Sequence, residues 1–164
     1  SKNYSLINGA AIHMVDLVMW ILNKKPKYVT AYGNSMHTSN KYKGNSFNLI
    51  ILEFDSGCIV KISANAVSSV PHEHNLEIYF ENKSVFKYFK NKFYFDGNRK
   101  KVNLSQSYPD KKNRATVINS FVNSLINNKN TNIVKKKEVF DVMKVCFYAI
   151  KSLKKNKKLK INYK

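Results

Sequence analysis

His13 and Asp16 lie three residues apart in Asn8-Gly-Ala-Ala-Ile-His-Met-Val-Asp-Leu-Val-Met-Trp20, a stretch otherwise almost wholly apolar. On a helix, positions i and i+3 share a face, so an imidazole and a carboxylate are presented to one small molecule. Such a pair suits general acid–base work. Gly9, Ala10 and Ala11 leave room for a backbone or ligand to approach the helix start. Burying two ionisable groups in an apolar helix is costly, which asks for a reason. A satisfied polar pair without chemistry has the same spacing, so spacing alone does not decide.

His72 and His74 flank Glu73 directly after Pro71. On an extended segment alternate residues share a face, so both imidazoles point together and Glu73 points away. This suits a pocket lining or a surface turn. A metal would need a third ligand, and His37 has no evident place beside the pair, so no metal site is expected. Tyr108, in a polar loop, offers a ring for stacking, though a loop tyrosine alone is a weak signal. Cys58 and Cys146 are far apart and fit no disulfide framework or zinc spacing. They read as buried free thiols of a reducing, cytoplasmic compartment.

The elements that position these residues follow from periodicity. A helix over 9–22 has Ile12, Val15, Met19 and Leu22 at helical spacing, Asn8 as its cap, and Asn23-Lys-Lys-Pro26 as its stop. Strands are expected at 27–38, 47–54 and 58–67, the last two joined by Asp55-Ser-Gly57. Others follow at 75–81, 84–89, 93–95 and 101–104, turning at Asn91 and at Asp96-Gly-Asn98. Two amphipathic helices come next. One carries Ile118, Phe121, Val122, Leu125 and Ile126; the other carries Val139, Val142, Met143, Cys146, Phe147, Ile150 and Leu153. A final strand closes at 159–163.

This order predicts an α+β domain: an open, mainly antiparallel β-sheet with helices on one face. In Phe47-Asn-Leu-Ile-Ile-Leu-Glu-Phe54 both alternating sets are largely apolar. Either the chain covers both sheet faces, or the second meets another subunit. Three helices are few for two faces, which favours a homo-oligomer, a dimer or tetramer, through the open face.

The 164 residues carry 29 Lys and Arg against 10 Asp and Glu, a formal charge of +19. Nucleic acid is the obvious partner for such a charge. Against it, the lysines spread from Lys2 to Lys164, and Arg99 and Arg114 are the only arginines. A positive field also draws in anionic small molecules. The longest apolar run after Asp16, residues 17–22, is too short to cross a bilayer, so no membrane partner is expected.

The order Gly9-Ala-Ala-Ile-His-Met-Val-Asp-Leu-Val-Met-Trp20, then Lys25-Pro-Lys-Tyr-Val-Thr-Ala-Tyr-Gly-Asn34 and Leu52-Glu-Phe-Asp-Ser-Gly-Cys-Ile-Val-Lys-Ile-Ser-Ala-Asn65, resembles a known family. It is the glucose-fructose oxidoreductase, inositol dehydrogenase and rhizopine-catabolism group (Gfo/Idh/MocA), in its C-terminal, substrate-binding domain. The resemblance spans nearly the whole chain. It implies an NAD- or NADP-dependent oxidoreductase acting on a hydroxyl of a sugar, including nucleotide sugars. It gives His13 the place of the active-site histidine and puts Asp16 near substrate, and His72 and His74 are then candidates to line the sugar pocket. It also implies sheet-face oligomers. Many members have Asp four residues before the histidine, where this chain has Gly9. The family's Glu-Lys-Pro motif belongs to a preceding Rossmann domain, and the only Lys-Pro here ends a helix. None of the five glycines is spaced for a dinucleotide-binding turn. The expectation is therefore one C-terminal-like domain over 1–164 without its Rossmann partner, inactive and binding no cofactor alone. Two alternatives stay open: a non-catalytic oligomerisation or binding module on that fold, and a basic nucleic-acid-binding protein.

Overall fold

The computed structural model describes residues 5–36, 44–105, 112–128 and 133–164. A π turn over Ile7–Ala11 leads into α1 (Ile12–Leu22). Strands β1 (Tyr28–Asn34), β2 (Phe47–Glu53) and β3 (Ile59–Asn65) follow, then β4 (Leu76–Phe80), β5 (Lys83–Tyr88), β6 (Asn91–Phe95) and β7 (Lys101–Asn103). Helices α2 (Lys112–Ile126) and α3 (Lys136–Lys155) precede a two-residue β8, Leu159–Lys160. The fold is α+β with two open antiparallel sheets, ordered β3-β2-β1-β8 and β4-β5-β6-β7. The chain forms two compact units, 69–131 and the residues on either side of it.

In the first unit, α1 and α3 lie against one face of the first sheet. Its core is built from Val15 and Val18 of α1, Val29 and Ala31 of β1, Ile50 and Leu52 of β2, and Val145 and Ala149 of α3. Each fully buried Val, Ile or Leu contributes roughly 1.5–3 kcal/mol. Along β2, Asn48, Ile50 and Leu52 are buried while Phe47, Leu49 and Ile51 are half-buried on the other face. There Leu49 pairs with Tyr32 and Ser63, and Ile51 with Thr30 and Lys61.

Several elements differ from expectation, the closing strand among them: it covers Leu159–Lys160 and not 159–163. Asn8 does not cap the helix; it lies inside the π turn, its N–H reaching Ser5 Oγ at 3.4 Å. The β5–β6 turn falls at Phe89, in the left-handed region at φ 49°, so Asn91 opens β6 instead of turning. The apolar stripe of α2 is exposed: Ile118, Phe121, Leu125 and Ile126 are each more than half accessible, led by Ile126 at 75%. The Asp55-Ser-Gly57 hairpin is as expected, closed by Gly57 N–H to Phe54 O at 3.0 Å with Gly57 at φ 82°. Asn23 and Asn156, both left-handed, end α1 and α3.

Pairing between β1 and β8 covers only Tyr28 and Val29. Two residues further, the Ala31 N–H donates to Ser152 Oγ at 3.0 Å, and that hydroxyl donates to Lys157 O at 2.7 Å. Ser152 is fully buried. Ser152→Ala leaves the Ala31 N–H without its acceptor, so a loss of roughly 1–3 kcal/mol is expected in urea unfolding. An unchanged midpoint would contradict this account of the helix end.

Candidate active site

The π turn immediately precedes the candidate pair: the Ile12 N–H bonds back to the Ile7 carbonyl, five residues earlier. Turns of this kind recur at functional sites because they re-aim the next helical residues. From there α1 buries Val15 and Val18, and Ile12, Met19 and Leu22 are half-buried. His13 and Asp16 both emerge on the exposed side, as the i, i+3 spacing requires. Trp20 emerges there too and is 76% accessible. Sequence reasoning missed Trp20, because an aromatic on an apolar helix is counted with the core. Its i+4 spacing from Asp16 and i+7 from His13 was the available signal.

The far end of α1 is held firmly. Lys25 Nζ meets the buried Asp141 carboxylate of α3 at 2.5 Å and stands 5.0 Å above the Tyr163 ring. The Tyr163 hydroxyl donates to Pro26 O at 2.8 Å. Burial, with the Asp141 charge nearby, raises the Tyr163 phenol well above its ordinary range.

In the second unit, the His72 and His74 rings meet edge-on, 5.0 Å apart, so the alternation did bring them together. Glu73 turns instead to Lys87 of β5, whose ammonium also donates to His74 O at 2.6 Å. That ammonium holds the Glu73 carboxyl below the usual carboxylate range. His13 with Asp16, and His72 with His74, thus belong to different units. His37 and Tyr108 lie outside the described residues. Among the described residues no three His, Cys, Asp or Glu form a group that could hold a metal ion. No helix there is long and apolar enough to cross a membrane.

A second carboxylate organises the second sheet. Glu77 accepts the Tyr79 hydroxyl at 2.9 Å and the Tyr88 hydroxyl at 2.6 Å. Bonding to this anion pushes the Tyr88 phenol up to about 12. Beside it Phe86 packs against Phe93, ring centres 5.2 Å apart.

A family model described as an oxidoreductase family, C-terminal alpha/beta domain, matches residues 6–161. Among solved structures, the chain is similar to UDP-N-acetylglucosamine 3-dehydrogenase GnnA from Acidithiobacillus ferrooxidans, at 15% identity and TM-score 0.73, over 92% of this chain and 47% of that one. It is also similar to an oxidoreductase from Agrobacterium radiobacter in complex with NAD+, L-tartaric acid and magnesium, at 12% identity and TM-score 0.74, over 94% of this chain and 48% of that one. A third is the WlbA dehydrogenase from Bordetella pertussis in complex with NADH and UDP-GlcNAcA, at 15% identity and TM-score 0.64, over 98% of this chain and 47% of that one. The chain thus spans about half the length of these structures. No curated protein matches it in sequence.

Of the two thiols, Cys146 is no nucleophile candidate. Cys146 is buried, and burial pushes its thiol up to about 11 from an ordinary 9.0. The protonated thiol therefore favours the fold below pH 9.0, a contribution lost as pH rises through about 11. Near neutral pH, iodoacetamide should label the half-buried Cys58 first and Cys146 only on unfolding, as read by mass spectrometry. Equal labelling of both in the native state would contradict this.

Proposed function

Since the chain belongs to the Gfo/Idh/MocA oxidoreductase family, as its C-terminal α/β domain, we propose that it is the substrate-binding and assembly part of an NAD(P)-dependent oxidoreductase acting on a sugar hydroxyl. The observation that carries this reading is the joint exposure of His13 and Asp16 on one face of α1, straight after the π turn. His13 takes the proton of the substrate hydroxyl as that carbon is oxidised, and returns it in reduction. Asp16, one turn along, steadies the imidazole or binds a neighbouring hydroxyl. His72 and His74, on their own unit, are proposed as substrate-binding residues.

The residues at hand do not fit a dinucleotide. Gly9 lies in the π turn, Gly33 in β1 and Gly57 in a hairpin, and Gly97 follows β6. None forms the strand-to-helix turn that cradles a pyrophosphate. We therefore assign NAD(P) binding to a separate Rossmann domain. The same misfit favours, as a second reading, a binding module that keeps the fold without the redox chemistry. Nucleotide sugars are the favoured substrates, since two of the similar structures name them and the formal charge of +19 attracts anions.

In an enzyme completed with such a domain, His13→Ala should lower kcat by roughly 10²–10⁴-fold. Substrate affinity should fall by only about 1 kcal/mol. His13→Gln should stay slow, because it bonds without transferring a proton. Near-normal turnover of either variant would remove His13 from the chemistry.

Assembly is proposed through the half-buried row Phe47, Leu49 and Ile51 on the open face of the first sheet. Sedimentation should show a dimer or tetramer, and Ile51→Lys should dissociate it with the circular dichroism unchanged. A stable wild-type monomer would count against this face.

A further inference from the structure

Trp20 is 76% exposed on a helix whose other side supplies the core residues Val15 and Val18. A large ring left in water adds little to the packing of this unit. At 100° per residue, His13, Asp16 and Trp20 fall within roughly 60° of arc, and Trp20 lies about 10 Å along the axis from His13. Asp16 and Trp20, at i and i+4, place their Cβ atoms about 5–6 Å apart.

We propose that Trp20 is the platform for the substrate's ring, a specificity determinant that rests on the reading of His13 and Asp16 above. A pyranose has an apolar C–H face and a hydroxyl-bearing edge. The indole covers the first, and the Asp16 carboxylate accepts from the second. His13, one turn nearer the helix start, then faces a hydroxyl at the opposite end of the ring. A protein partner is a poorer occupant, because interface cores are depleted in charged groups and Asp16 stands beside this tryptophan.

Trp20 is the only tryptophan of the chain, so its emission reports directly on the platform. The chain is titrated with N-acetylglucosamine and UDP-N-acetylglucosamine, following Trp20 fluorescence and saturation transfer from protein to sugar ring protons. Both probes should change the emission saturably. Trp20→Ala should weaken binding roughly tenfold or more with an unchanged Tm, and Trp20→Phe should recover part of it. Binding that Trp20→Ala leaves intact overturns the platform. If Asp16→Asn weakens that binding and His13→Ala weakens it about fivefold, the reading of the pair survives without it. Binding lost in Trp20→Ala but unaffected by both other variants keeps the platform and removes the pair. Failure of both probes to bind overturns the platform.

Discussion

One buried hydroxyl sets the geometry of the first unit. Where β8 stops, β1 still has a backbone N–H turned toward the helix layer, and an unpaired donor there is costly. Ser152 accepts from it and donates its own O–H to the Lys157 carbonyl. The last turn of α3 is thereby tied to the middle of β1. With that end fixed, Val142, Val145 and Ala149 are laid against the sheet, and α1 packs on α3. The opposite end is tied by the Lys25–Asp141 pair, of the kind in which removing one partner strands the other charge. With Val15 and Val18 of α1 buried in this core, the side bearing His13 and Asp16 faces outward.

What was readable in the sequence was whatever depends on neighbouring residues. The Asp55-Ser-Gly57 turn, the left-handed stop after Leu22 and the alternation of β2 are local facts with local causes. The His13–Asp16 face and the His72–His74 contact followed from spacing in the same way. The π turn was not readable, because a run of Gly-Ala-Ala fits a π or an α turn equally. A phenylalanine at positive φ was not readable either, since only the register of β5 on β6 places it there. On α2 the apolar stripe was plain, but what would cover it was not. Periodicity reports that a face is apolar, not that a neighbour exists.

The lysines show how a formal charge of +19 is carried without one concentrated patch. Lys83 stands 4.4 Å over Tyr94, Lys101 4.2 Å over Phe93, and Lys158 4.6 Å over Tyr28. In each pair the ammonium itself stands over the ring face, and that of Lys158 also meets the Glu53 carboxylate. Lysine is thus placed over aromatic rings on several separate elements.

The brevity of β8 has a bearing on how copies of this chain behave when crowded. A free strand edge is a template onto which another chain can zip, and such growth has no natural end. On the β8 side an incoming strand meets a ladder two residues long, carrying Lys160, with Ser152 already occupying the next backbone donor. Too few bonds are on offer there to repay the ordering of a new strand. Fibre-like extension from that border is suppressed by the same short element that closes the fold.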